Sequence, residues 1–143
     1  MACILVVEDD GALRNDLADR LTDWGHRVVQ ASNGRQGFDA IKTFQPDLVL
    51  ADIHMPMESG FALTRRVAAD DVHHADMAIL LISATTDPKD VIHGIDCGAS
   101  DYLPKPIDYE MLKTKIDAHL GKKTKSLRPL QPSSSMPHFR WKC

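Results

Sequence analysis

The stretch Asp47-Leu48-Val49-Leu50-Ala51-Asp52 decides the fold class. Its apolar residues follow one another without the alternation that a strand with one face in water would show. Consecutive apolar residues are typical of a strand that is covered by helices on both faces, as in parallel sheets. Ala78-Ile79-Leu80-Leu81-Ile82 has the same character. Both stretches therefore predict central strands of a parallel sheet.

Short apolar runs alternate along the chain with patterns of helical spacing, as expected of successive β-α units. Leu13, Leu17, Leu21 and Trp24 recur at such a spacing. We predict an α/β domain with five strands and five helices. The strands are expected near 3–8, 27–31, 47–52, 78–83 and 100–103, and the helices near 12–24, 35–44, 60–70, 87–96 and 108–120.

Composition limits the class of protein. The 143 residues are 43% hydrophobic and 26% charged, which fits one globular domain with a sizeable core. The net charge of -3 indicates no surface for nucleic acid or membrane. Three scattered cysteines predict neither a disulfide framework nor a zinc site. With no signal peptide or membrane-spanning run visible, a cytoplasmic location is expected.

The character of the chain changes after Gly121. The segment 122–143 is basic, contains no acidic residue, and gathers prolines and serines. Such a composition is typical of linkers and flexible tails. We therefore predict a domain over 1–121 and a flexible linker or tail over 122–143.

Side chains that can carry chemistry stand where the predicted strands end. They are Glu8-Asp9-Asp10, Asp52, Ser83, Tyr102 and Lys105. The carboxyl ends of parallel strands lie at one edge of the sheet, where ligands bind. Grouped carboxylates repel one another and favour a hard cation such as Mg²⁺. A single carboxylate can attack phosphorus, while a hydroxyl and a lysine can bind phosphoryl oxygens. The sequence thus predicts a phosphoryl-transfer site.

Each of these features also has an ordinary structural explanation. Asp10 can cap the first helix, and Asp52 and Ser83 can each begin a turn. Lys105, which lies between two prolines, can be a solvated residue of a turn. The joint arrangement favours the site, because four such features follow four strands with intervals of 43, 31 and 22 residues from Asp9 onward.

Several longer stretches carry a family resemblance. They are Ile4 to Asp10, Pro46 to Pro56 with Gly60, Ser83-Ala84, and Gly98 to Pro106. Over roughly 1–120 the chain resembles the receiver domain of two-component response regulators. The resemblance implies a doubly wound, flavodoxin-like (CheY-like) sheet with strand order 2-1-3-4-5, and a cis bond between Lys105 and Pro106.

The resemblance also implies a role for each site residue. Asp52 would be the phosphoacceptor and Lys105 the conserved-type lysine that contacts the phosphoryl group. Mg²⁺ would be the cofactor, bound through Glu8, Asp9, Asp52 and the backbone carbonyl of His54. Ser83 and Tyr102 would form the switch. We further hypothesise that His54 and Thr85 tune how fast water removes the phosphoryl group.

The implied function is a phosphorylation-activated signalling switch that promotes only its own phosphorylation and dephosphorylation, rather than an enzyme. The phosphoryl group would come from a sensor histidine kinase or a phosphotransfer protein. The surface of the fourth helix, fifth strand and fifth helix would then control an effector protein or a covalently linked output domain. Ile107 and Thr114-Lys115-Ile116 depart from the dimer face of one DNA-binding branch. We therefore expect a monomer or a weak, phosphorylation-dependent dimer.

Two alternatives remain open at this point. The first is a phosphohydrolase with Asp52 as its covalent nucleophile. Such enzymes typically carry a second acid two residues after the nucleophile, where this chain has His54. The second is a receiver that binds partners without phosphorylation, which the complete set of site residues disfavours.

Overall fold

The computed structural model describes residues 2–55, 59–69, 77–84, 87–96 and 98–125, apart from the side chains of 68 and 122–125. Five strands alternate with five helices, as the sequence predicts. The strands are β1 (Cys3–Val7), β2 (Arg27–Ala31), β3 (Leu48–Asp52), β4 (Ala78–Ser83) and β5 (Asp101–Pro104). The helices are α1 (Gly11–Asp23), α2 (Gly34–Phe44), α3 (Gly60–Ala69), α4 (Pro88–Asp96) and α5 (Tyr109–Lys125).

The five strands form one parallel sheet in the order β2-β1-β3-β4-β5, which confirms the predicted topology. The register aligns the carboxyl ends of the strands. Val7 is paired with Ala51, Asp52 with Ile82, and Ser83 with Pro104. The residues that follow these strands therefore meet at one edge of the sheet.

Each face of the sheet is covered by its own hydrophobic core. On one face, Leu17 and Leu21 of α1 and Leu112 and Ile116 of α5 pack on the sheet. On the other face, residues of α2 and α3 pack on alternate residues of the same strands. Burial on both sides explains the uninterrupted apolar run of β3, whose five residues are all buried.

Side chains and backbone geometry set the ends of the helices. The Asp10 carboxylate accepts hydrogen bonds from the backbone N–H groups of Ala12 and Leu13, and so caps α1. Asn33 caps α2 in the same manner. Gly25 follows α1 with a φ of 96°, a left-handed conformation that glycine adopts without strain. The cap expected as one explanation of Asp10 is therefore present.

The predicted end of the fifth helix is wrong. The sequence predicts an end near residue 120, whereas α5 continues through Gly121 to Lys125. A glycine inside a helix costs only about 1 kcal/mol relative to alanine, so one glycine does not end a helix. The lysines that follow have good helix propensity, and positive charge is favourable at a helix C-terminus. Residues 126–143 lie outside the described residues, and the division into a domain over 1–121 and a linker or tail over 122–143 stays a prediction.

Candidate functional site

The carboxylate of Asp52 is the centre of the site. Asp52 is the last residue of β3 and is only 3% exposed. Its Oδ1 accepts a hydrogen bond from the backbone N–H of His54 at 3.2 Å, and its Oδ2 accepts one from Lys105 Nζ at 3.1 Å. The strand end is held in turn, because the Ile53 N–H donates to the Ile82 carbonyl at 2.9 Å. The carboxylate is thus fixed at the edge of the sheet.

Lys105 joins two of the acids. Its Nζ lies 3.1 Å from Asp52 Oδ2 and 3.2 Å from Glu8 Oε1. Its backbone N–H donates to the Ser83 carbonyl at 2.8 Å, and the following bond to Pro106 is cis, as the resemblance implies. Partial burial acts to lower the pKa of Lys105. The hydrogen bond and charge of Asp52, with those of Glu8, outweigh that effect and raise the pKa above its ordinary value.

Glu8 is a buried acid, with 1% exposure, directly after β1. Burial is the largest cause that raises its pKa to about 7, and repulsion from Asp52 adds to it. The Asp10 N–H, which donates to Glu8 Oε2 at 3.1 Å, and Lys105 act in the opposite direction. Glu8 Oε1 has no well-directed hydrogen bond, although Lys105 Nζ is near. A buried oxygen in this condition favours a further positive ligand.

Three carboxylates converge at the same place. Among the described residues, ligand oxygens of Glu8, Asp9 and Asp52 lie within 4.8 Å of one another. Two of the three residues are buried, while Asp9 is exposed and open to solvent. An all-oxygen set with one side in water fits Mg²⁺, which keeps several of its waters. The lack of a well-directed hydrogen bond at Glu8 Oε1 and the mutual repulsion of the acids also fit a bound cation.

The remaining predicted residues occupy different surroundings. Ser83 is fully buried at the end of β4, and Tyr102 lies within β5, partly buried against the core of the α2 and α3 face. His54 is exposed, and its backbone N–H, not its imidazole, is the group described in contact with Asp52. Thr85 lies outside the described residues, so the hypothesis that it tunes dephosphorylation stays a prediction.

One polar contact of the site has no counterpart among the predicted residues. The Arg14 Nη1 donates to the backbone carbonyl of Glu8 at 2.8 Å. A signal for it is present in the sequence, because Arg14 is a basic residue in the first turn of α1. Helix N-termini favour negative charge, so a cation there indicates a specific contact.

Comparison with known proteins gives the family. The family model described as the response regulator receiver domain matches residues 4–117. The transcriptional regulatory protein AfsQ1 of Streptomyces coelicolor is 37% identical over 120 residues, which are 84% of this chain and 52% of that protein. The response regulator MprA of Mycolicibacterium vanbaalenii is 36% identical over 121 residues, 85% of this chain and 51% of that protein. The chain thus spans about half the length of these relatives.

Solved structures show the same fold. The chemotaxis protein CheY4 of Vibrio cholerae superposes with a TM-score of 0.77 at 27% identity, covering 82% of this chain and 98% of that one. The receiver domain of a signal transduction histidine kinase from Syntrophus aciditrophicus gives 0.78 at 28% identity, covering 85% and 92%. Within the described part of the chain, no helix has the length and apolar character needed to cross a membrane.

Proposed function

Because the chain belongs to the response regulator receiver domain family, we propose that Asp52 accepts a phosphoryl group and thereby switches the protein between two signalling states. The observation that carries this proposal is the Asp52 carboxylate itself. It is buried, lies 3.1 Å from the Lys105 ammonium, and has oxygens of Glu8 and Asp9 within 4.8 Å. The family is one of phosphorylation-activated switches in two-component signalling.

In the proposed reaction, an Asp52 oxygen attacks phosphorus and forms a P–O bond. The P–N bond to the histidine of the donor protein breaks, and its electron pair remains on the imidazole nitrogen. The product is an acyl phosphate. Lys105 Nζ, already within hydrogen-bond distance, would neutralise charge on a phosphoryl oxygen. The N–H of His54, which donates to Oδ1, would help to orient the carboxylate.

Glu8, Asp9 and Asp52, with the His54 carbonyl, would hold Mg²⁺. The bound ion would supply positive charge beside the phosphoryl oxygens and relieve the repulsion among the acids. The buried Glu8 oxygen without a well-directed hydrogen bond supports this assignment of the Mg²⁺ ligands.

We assign the output to the surface formed by α4, β5 and α5. Ser83 and Tyr102 would change position after phosphorylation, and Tyr102 belongs to β5. Three of the four exposed large apolar residues among the described residues lie on α4 and α5: Ile92, Ile95 and Met111, which are 61%, 46% and 42% exposed. Exposed apolar side chains on these two helices suit contact with a protein partner. A histidine kinase or phosphotransfer protein would act upstream, and an effector protein or linked output domain downstream.

A phosphohydrolase that uses Asp52 as nucleophile is the second candidate class. Such an enzyme needs an acid–base group that acts on the leaving group and on water. The residue two positions after Asp52 is His54, not an acid. The switch is therefore favoured, with turnover limited to hydrolysis of the protein's own acyl phosphate.

The proposal is tested by incubating the protein with Mg²⁺ and acetyl phosphate and recording the intact mass. A single phosphoryl adduct is expected in the wild type, lost when Mg²⁺ is chelated and absent in Asp52→Asn. The exposed Asp39 of α2 provides a matched control, since Asp39→Asn removes a carboxylate far from strand ends and should keep the adduct. An adduct that persists in Asp52→Asn would contradict the proposal. Continuous release of phosphate over many turnovers would identify a phosphohydrolase instead.

A further inference from the structure

The side chain of Arg14 folds back over the loop that joins β1 to α1. Its Nη1 donates to the carbonyl of Glu8 at 2.8 Å, and its Nε donates to Gln30 Oε1 of the neighbouring strand β2 at 3.2 Å. Both acceptors are neutral oxygens. The guanidinium therefore links β2 to the first residue after β1, from a position on α1.

The position of Arg14 is unfavourable for a cation unless a contact compensates. Arg14 lies in the first turn of α1, where the partial positive charge of the helix N-terminus repels basic groups. The three carboxylates of the site are near in sequence, yet none of the described ion pairs involves Arg14. The guanidinium instead donates to a backbone carbonyl and to a side-chain amide oxygen, both neutral, which points to a role in geometry.

The carbonyl that Arg14 binds belongs to the peptide bond between Glu8 and Asp9. The Glu8 N–H is held by the Ala31 carbonyl at 3.0 Å, as a continuation of the sheet. Beyond it the chain leaves the sheet, and the Glu8 carbonyl is bound by Arg14. This peptide unit connects Glu8 directly to Asp9, which is the exposed member of the acid group. Its orientation therefore limits the positions that the Asp9 backbone, and with it the Asp9 carboxylate, can take.

We propose that Arg14 is a positioning residue for the Mg²⁺ site, which holds the Glu8–Asp9 peptide so that Asp9 joins Glu8 and Asp52. This inference rests on the proposed function, because it assumes that the acids bind a metal ion. Residues that orient metal ligands commonly change affinity when they are replaced, although they do not touch the ion.

The direction of the effect separates positioning from simple charge. A cation near the site repels Mg²⁺, so loss of its charge alone would tighten Mg²⁺ binding. Loss of a group that holds Asp9 in place would weaken binding. Arg14→Met, which removes both the charge and the donors, therefore gives opposite results in the two cases.

The experiment measures Mg²⁺ affinity by isothermal titration calorimetry, which requires no phosphoryl transfer. Arg14→Met should weaken binding by roughly tenfold, the lower end of the effect of orienting residues. Arg14→Lys keeps the charge and one donor, and should recover part of the loss. Arg20→Met is the matched control, because it removes the same charge from the same helix, where Arg20 lies over Tyr109. Its affinity should equal that of the wild type.

A second variant keeps the test valid if Arg14→Met folds poorly. Gln30 is exposed and its Oε1 accepts a hydrogen bond from Arg14 Nε, so Gln30→Ala should fold and weaken Mg²⁺ binding by a smaller factor. Unchanged or tighter binding in Arg14→Met with normal thermal unfolding would overturn the inference. If Arg14→Met does not fold, an unchanged Mg²⁺ affinity in Gln30→Ala would overturn the inference. Absence of Mg²⁺ binding by the wild type would instead overturn the metal site itself, together with this inference.

Discussion

Gly60 leaves no space for a side chain next to the proposed phosphoacceptor. A Cβ there would lie 2.6 Å from the Asp52 carbonyl oxygen and 3.0 Å from Ile53 Cα. Both are backbone atoms, so the contact cannot be relieved by rotation of a side chain. We predict that Gly60→Ala destabilises the protein by about 1–3 kcal/mol. It should also slow phosphorylation, because the strand end that carries Asp52 must move.

Chemical denaturation and the acetyl phosphate reaction check this prediction. Gly121→Ala is the matched control, because a Cβ at Gly121 meets nothing within 4 Å. Gly121 lies inside α5, so the same substitution should there stabilise the protein by up to about 1 kcal/mol. Equal effects of the two substitutions would show that the crowding at Gly60 is not the cause.

Asp10 and Asp9 are neighbours in sequence with separate expected roles. Asp10 caps α1 through hydrogen bonds of 3.0 and 3.3 Å, while Asp9 belongs to the acid group. We predict that Asp10→Ala loses about 1 kcal/mol of stability, as for other N-caps, and keeps the Mg²⁺-dependent adduct. Asp9→Ala should lose most of the adduct and little stability. Urea unfolding measures the stability of both variants, and intact mass measures their phosphoryl adduct. Loss of the adduct in Asp10→Ala would assign Asp10 to the metal site.

At the scale of elements, Asp101 ties β5 to α5. Its Oδ1 accepts hydrogen bonds from Lys115 Nζ at 2.9 Å and from the Tyr102 N–H at 2.8 Å, and its Oδ2 lies 3.1 Å from His119 Nε2. Partial burial acts to raise the pKa of Asp101. The hydrogen bonds from Lys115, Tyr102 and His119 outweigh that effect and hold the pKa below its ordinary value.

A folded-state pKa below the unfolded one means that the Asp101 carboxylate stabilises the fold above the ordinary aspartate pKa of 3.8. The stabilisation is lost as the pH falls through the lower, folded pKa. We therefore predict that Asp101→Asn is less stable than the wild type at pH 7, and that the difference shrinks below pH 4. Urea unfolding across this range measures it.

Asp117 supplies the control for the pH experiment. It pairs with Lys113 in an exposed i,i+4 contact at 3.2 Å on the same helix. Exposed pairs of this kind contribute little, so Asp117→Asn should leave stability nearly unchanged at every pH. A pH dependence of Asp101→Asn that matches that of Asp117→Asn would contradict the prediction.

For the whole molecule, the sequence predicts the strands, the helices and the meeting of Glu8, Asp52 and Lys105 at one edge of the sheet, because parallel strands end at the same edge. It does not predict individual contacts between distant segments away from the strand ends. The apolar runs of β3 and β4 predict buried parallel strands. A strand that is covered on both faces needs an apolar side chain at every position, so the prediction requires no knowledge of distant segments. The strand order and the cis bond before Pro106 follow only from family resemblance. The contact of Arg14 with Glu8, and the contacts of Lys115 and His119 with Asp101, depend on tertiary packing. Likewise, the extension of α5 past Gly121 reflects the balance of a whole helix.

In the proposed function, the grouped acids would couple the stability of the whole domain to Mg²⁺. In the proposed site, binding of the ion to the folded state alone should raise the free energy of unfolding by RT ln(1 + [Mg²⁺]/Kd), about 2.7 kcal/mol at a hundredfold excess over Kd. Without the ion, Glu8, Asp9 and Asp52 repel one another. Asp9→Asn removes one of these charges and one ligand. The variant should therefore be at least as stable as the wild type without Mg²⁺.

With Mg²⁺ the wild type should be more stable than Asp9→Asn, because the wild type gains the free energy of Mg²⁺ binding and the variant gains much less. Thermal unfolding with and without Mg²⁺, at ionic strength matched with KCl, measures this reversal of the stability order. Asp39→Asn, which removes an exposed charge from α2, should follow the wild type in both conditions. Because the ionic strength is matched, screening is the same in both conditions, and equal gains in the wild type and Asp9→Asn would mean that Mg²⁺ binds the protein without Asp9 as a ligand. A reversal of the stability order by Mg²⁺ that occurs for Asp9→Asn and not for Asp39→Asn would show that Mg²⁺ stabilises the fold through Asp9. The stability of the fold would then depend on the same acid that the proposed phosphoryl transfer requires.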